Sequence, residues 1–416
     1  MLTLRKYMLA IALLSLSGAA AADPIKLTDC AGLQNIYNHL TGQYILANNI
    51  DCTGFAFQPI NQRDPFTGSL DGQGFTITGL SIVLPTYQSS SYISALFAIV
   101  HNAVIQNINF KNAYINNVDF KTNEENYSGL IAGQIKGNTT IANIKVDGLT
   151  IGAGQNVSNL YYTGGIVGQT NDNSVLRNVH VKNAEISNGD GAVGGLIGQT
   201  RGNTTIEGSS VYGIDPIKKQ GYLCRRHDSL CAFGGLIGDA SPGTINIQYS
   251  WTEGYINSSN DVGGLIGRVN ATVNISNSYS MTKVESVSNA GGLIGATMDN
   301  AVINLNTVYA AGKVAKVGNG PVSHWAIIGS VSPANPPIVG HESYYDQSEH
   351  GTNRKSPNDN VSIGLSKKEM TANPQGRRFH FANWDTNIWS FGNDKYPQLN
   401  SNARPSSNQS LPPTLP

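Results

Sequence analysis

Cleavage of a polysaccharide needs two carboxylates in a defined pair, or acids that hold a cation beside a basic residue. This 416-residue chain offers acids but no obvious pair. Asp71 lies in "LDGQG", which reads as a tight turn into the strand "FTITGLSI". His341 and Glu342 open "HESYY", but the second histidine of a zinc-protease helix is missing. The eight histidines are scattered, and no G-x-S-x-G nucleophile motif occurs. No C-x-x-C or histidine pair suggests a metal, and no sequence feature calls for a cofactor. One stretch does concentrate charge: "IKKQGYLCRRHDSLC", where Lys218, Lys219, Arg225 and Arg226 outweigh Asp228. A basic loop of this kind would bind an anionic partner without cutting it.

These residues are carried by a repeated element. "SGLIAGQI", "TGGIVGQT", "VGGLIGQT", "FGGLIGDA", "VGGLIGRV" and "AGGLIGAT" anchor repeats at Gly129, Gly165, Gly195, Gly235, Gly264 and Gly292, spaced by 28 to 40 residues. "SALFAI" and "WAIIGS" extend the series to Ala95 and Ala326. A second column, Phe110, Val146, Val181, Tyr212, Trp251, Tyr279 and Tyr309, is followed five residues later by isoleucine or valine. Between the columns lie alternating stretches such as "TTIANIKV", introduced by turn residues, and no helical apolar pattern is sustained. Short strands with a period near thirty predict an all-β parallel solenoid with one repeat per coil. An up-and-down barrel or propeller would need hairpin turns, and Asn-Gly or Asp-Gly pairs are sparse. "GGLIG" lacks the Lys-Ser/Thr of a phosphate loop and opens no helix, so its glycines read as scaffold. They would permit a corner at positive φ or a close backbone approach. The Leu-Ile pair would place an outward apolar ladder through Ile131, Val167, Ile197, Ile237, Ile266 and Ile294, unless the corner turns both side chains inward, which is the favoured reading. Asp172 and Asp299 occupy equivalent repeat positions, but about 19 Å of stacking would separate them.

The chain resembles bacterial surface and secreted proteins with GLUG-motif repeats, found in filamentous-haemagglutinin-like adhesins. Beyond "GGLIG", the likeness rests on "LTGQYILANNIDC", "FTGSLDGQGFTITGLSI", "SNSYSMTKV" and "NWDTNIWSFGNDKYPQL". It implies a right-handed parallel β-helix, here of eight to ten coils with caps, and an adhesive role. The expected organisation is a signal peptide over 1–22, an N-terminal cap and first coils over 23–94, the GLUG-repeat β-helix over 95–340, a C-terminal cap over 341–400 and a disordered tail over 401–416.

The signal peptide is read from Arg5 and Lys6, the apolar run Met8 to Leu16 and the small residues before Asp23. The chain would therefore be secreted or held at the cell surface, with the periplasm as the other destination. No later segment is long enough to span a membrane as a helix. Export favours disulfides; four cysteines allow three pairings, and the economical one joins Cys30 to Cys52 and Cys224 to Cys231. Charged residues make up 13% and cancel to zero, which argues against nucleic acid as partner. The functional expectation is a non-enzymatic binding protein for host or matrix glycans or proteins, with the basic loop as its site. A carbohydrate-active enzyme and a structural spacer are the alternatives.

Overall fold

The computed structural model describes residues 23–83, 93–117, 125–153, 160–186, 190–214, 231–317, 323–331, 337–349, 359–372 and 380–401. The expected signal peptide, and the tail after Ser401, lie outside them. The described chain is all-β apart from short helical turns, and its sheets are long and parallel. Each repeat, here called a tier, passes through equivalent strands and pairs in parallel with the tiers before and after it. Val104–Asn117 pairs with Asn138–Ala153, that with Val167–Ile186, and that in turn with Ile197–Glu207 and Ser210–Ile214. A second, eight-stranded parallel sheet is built from the short strands that precede each Leu-Ile corner.

Equivalent side chains stack. Leu70, Ile105, Ile141, Leu176, Ile206, Ile247, Ile275 and Leu305 form one register column and are almost wholly buried. Leu196, Leu236, Leu265 and Leu293 form another, their amides hydrogen-bonding from tier to tier. Ile131, Val167, Ile197, Ile237, Ile266 and Ile294 are fully buried as well. Both residues of the Leu-Ile pair therefore face inward, and no apolar ladder is presented to solvent there.

The anchor glycines are explained by crowding and not by φ. A Cβ on Gly165, Gly195, Gly235, Gly264 or Gly292 would sit 2.1 or 2.2 Å from the carbonyl oxygen of the equivalent residue in the next tier. None of these five is at positive φ. The last glycine of the motif meets the preceding tier instead: a Cβ on Gly198 or Gly238 would lie 2.6 Å from the carbonyl of Gly168 or Gly198. Gly129 is out of register by one residue. The Leu130 amide bonds to Gly165, and Ala132 pairs with Val167, so Leu130 occupies the place of the later anchors.

Positive φ occurs at other corners. Asn107, Asn143 and Asn178 stack with φ of 58°, 54° and 54°, and their carboxamides hydrogen-bond in series at 2.9 and 2.7 Å. Asparagine tolerates this conformation, and its side chain continues the backbone ladder along the stack. Asn138, Asn173 and Asn203 form a similar file at 3.1 and 3.0 Å.

The second sequence column needs correction. Phe110, Val146 and Val181 continue through Val211 and Thr252, whereas Trp251, Tyr279 and Tyr309 stand one position earlier and Tyr212 one later. A slip of one residue in a strand reverses the face, so these aromatic rings lie on the outer side. Tyr212, Trp251, Tyr279 and Tyr309 stack at 5.3, 5.7 and 4.8 Å. Phe381, Trp384, Trp389 and Tyr396 fold back over the far end of this stack, where Trp389 Nε1 donates to Asn277 and the Tyr309 hydroxyl to the Pro397 carbonyl. The expected boundary at 341 falls inside the strand Ile338–Asp346, which pairs with Val302–Ala310 and with Ser362–Leu365. At the other end, Cys30 opens a short helix and is bonded to Cys52.

Gly235→Ala should cost about 1–3 kcal/mol, because its Cβ can be accommodated only by moving backbone. Gly152→Ala, whose Cβ would meet nothing within 4 Å, should stay within about 0.5 kcal/mol of wild type. Equilibrium denaturation of the two variants checks the contrast, and equal stabilities would contradict the account of the motif.

Candidate functional site: an outer groove beside an aromatic stack

The site follows from strand alternation. Phe110, Val146, Val181 and Val211 point into the core, so the residues on either side of each point outward. The earlier column reads Thr76, Asn109, Lys145, His180, Ser210, Trp251, and the later one Lys111, Asp147, Lys182, Tyr212. Together they line an open groove of about 600 Å³. It ends at Trp251, where the remaining aromatic stack passes beneath the C-terminal segment.

Neighbouring tiers fix several of these side chains. His180 Nδ1 lies 2.8 Å from Ser210 Oγ, and its Nε2 lies 2.9 Å from Asn178 Oδ1. Asp147 accepts from Asn183 Nδ2 at 2.8 Å, with Lys182 Nζ 3.6 Å away. Lys111 and Lys145 are exposed and have no carboxylate partner among the described residues. Three lysines thus face one aspartate, beside the partly exposed Tyr212 ring. Asp147 is the groove's single carboxylate, so the two-acid arrangement of glycoside cleavage is not assembled here. What the groove can do is hold an anionic, partly apolar ligand. A second depression of about 420 Å³ lies across the corner formed by Asn112, Gly148 and Asn183, lined by Tyr114, Thr150 and Glu185.

Carboxylates do gather elsewhere, in the interior. Gln134, Gln169, Gln199, Asp239 and Arg268 occupy one register column beside the Leu-Ile corner. The glutamines hydrogen-bond in series at 2.9 and 2.7 Å, and Gln199 donates to Asp239 at 2.9 Å. Arg268 pairs with Asp261 at 2.6 Å, and Asn289 donates to the other Asp261 oxygen. Burial pushes the Asp239 carboxyl above its ordinary range, against the pull of Gln199, Arg268 and Ser241. Both aspartates are almost fully buried, so this network is structural. Among the described residues, no group of three or more His, Cys, Asp or Glu is placed to hold a metal ion.

Of the basic loop expected to bind, Lys218, Lys219, Arg225 and Arg226 fall outside the described residues, as does Cys224. Cys231 is disulfide-bonded. Asp71 forms the expected turn, accepting from the Gln73 amide at 2.8 Å and from Gln106 and Asn107 of the next tier. The groove was missed because its members are single residues on successive repeats. The signal was present as the residues flanking Phe110, Val146 and Val181, and the misplacement of Tyr212 and Trp251 concealed it.

No family model matches the chain. Over 116 residues, 25% of the chain, it is 35% identical to halomucin of Haloquadratum walsbyi, and it spans 1% of that protein's length. A solved structure from Bacteroides ovatus, described as a candidate immunoglobulin A1 protease, is 17% identical, covering 90% of this chain and 92% of its own at a TM-score of 0.45. Neither likeness assigns a family or an activity.

Because the folded Asp239 pKa is raised, the folded state holds its proton to higher pH than the unfolded chain. Stability is therefore lost as pH rises from the ordinary carboxylate pKa to the raised one. Asp239→Asn should be at least as stable as wild type at pH 7, with the difference vanishing at pH values below the ordinary carboxylate pKa. Denaturation midpoints at pH 3 and pH 7 check this, and a loss confined to neutral pH would contradict it.

Proposed function

We propose that the chain is a secreted or surface-exposed right-handed β-helix of eight to ten coils, related to the GLUG-repeat adhesins, which binds glycans or proteins of a host or matrix without modifying them. The observation that carries this reading is the outer groove, open to solvent and furnished with lysines and an aromatic ring but with a single carboxylate. An all-β chain with a disulfide and, among the described residues, no helix long and apolar enough to cross a membrane is compatible with an extracellular place. Its parallel tiers present a regular outer face on which binding side chains recur.

The purified chain from residue 23 onward, screened against host glycans, matrix proteins and polysaccharides, should retain at least one of them and release no sugar or peptide product. Steady release of unsaturated or reducing sugars, or of peptide fragments, would overturn the reading in favour of an enzyme. Failure to bind any of them would leave the chain as a structural spacer.

A further inference from the structure

We infer that the groove takes a linear anionic glycan, lying along the stacking axis across the tiers of Lys111, Lys145 and Lys182 with a sugar ring against Tyr212. This rests on the reading of the chain as a binding protein and specifies its ligand. The first ground is charge. The chain as a whole is neutral, yet three lysines and one aspartate line this groove; Asp147 lies beside Lys111 in register and within 3.6 Å of Lys182, and neither Lys111 nor Lys145 forms a salt bridge among the described residues. At successive tiers about 4.8 Å apart, such cations match a ligand whose negative charges recur along its length, not a single compact anion. Glu253 stands next to Trp251 at the closed end, so the positive stretch has a defined limit two tiers past Lys182.

The second ground is the means of contact. Strand addition by a peptide requires a free backbone edge. The strands under the groove are hydrogen-bonded to tiers on both sides, so only side chains are offered to a ligand. Those side chains are a ring, ammonium groups and fixed hydroxyl, imidazole and carboxamide groups at Ser210, His180 and Asn109. Aromatic faces hold the apolar face of a sugar ring, while the polar groups accept and donate to its hydroxyls. Nucleic acid would demand a larger positive footprint than a net of two charges.

The test uses the chain from residue 23 onward with four probes: polygalacturonate as a carboxylate glycan, heparin as a sulfated one, cellohexaose as a neutral one and poly-L-glutamate as an acidic peptide. Binding is followed by calorimetry. At least one anionic glycan should bind about tenfold or more tighter than cellohexaose and poly-L-glutamate, and which one binds tells carboxylate from sulfate recognition. Lys111→Gln/Lys145→Gln and, separately, Tyr212→Ala should each weaken it about tenfold, and the lysine variant should flatten the salt dependence. Thermal unfolding of the lysine variant should match wild type, because both side chains are exposed. Equal affinity for poly-L-glutamate, preference for cellohexaose, or undiminished binding by the lysine variant would overturn the assignment. Retention of some other partner, unaffected by these changes, would leave the binding reading standing and remove only this site. Absence of any retained partner would remove both.

Discussion

Parallel strands hydrogen-bond at about 4.8 Å, and every tier of this molecule must come that close to its neighbours at the Leu-Ile corner. There the backbone turns while remaining bonded above and below, leaving no volume for a side chain at three positions of the motif. Gly194 would strike the carbonyl of its own tier, Gly195 that of the next and Gly198 that of the one before. Three glycines in "GGLIG" thus answer three separate contacts. The residues between them, Leu196 and Ile197, supply the burial that makes the corner worth forming.

Once the tiers are locked at this spacing, the outside of the molecule becomes a set of parallel columns in which one kind of side chain can bond to its own kind. Carboxamides exploit this in the files at Asn107 and Asn138 on the surface and at Gln134 in the interior. Aromatic rings do so from Tyr212 to Tyr309. The C-terminal segment claims part of that aromatic face and leaves Tyr212 and Trp251 at its margin. The groove exists because the columns before that margin change from rings to lysines, hydroxyls and an imidazole. The proposed binding of a chain-like ligand uses the same regularity.

Much of this was legible in the sequence. Stacking in parallel, the inward turn of the Leu-Ile pair, the Cys30–Cys52 bond and the turn at Asp71 all follow from spacing, apolar pattern and turn chemistry. What was not legible is register at the level of one residue. Corners differ in length between tiers, so aligning aromatic letters placed Tyr212 and Trp251 in the column of Val181, though one lies after it and the other before. "SGLIAG" likewise carries one glycine fewer before its apolar pair than "TGGIVG", which displaced Gly129. The buried Asp239, Arg268 and Asp261 network was hidden for another reason. Charged residues flanking a glycine motif look solvent-exposed in sequence, and only the packing of two sheets at the corner encloses them.

Cysteine cross-linking measures the register directly. Asn173 and Asn203 are exposed and face each other on adjacent tiers, whereas Thr244 lies one tier further along the same file. Adjacent parallel strands bring Cα atoms within the reach of a disulfide, and two tiers do not. In a chain carrying Asn173→Cys and Asn203→Cys, mild oxidation should give an intramolecular bond mapped by mass spectrometry between those two positions, while Asn173→Cys with Thr244→Cys should remain reduced. Equal cross-linking of both pairs, or of the second pair alone, would contradict the stacked register on which the corner, the columns and the groove all depend.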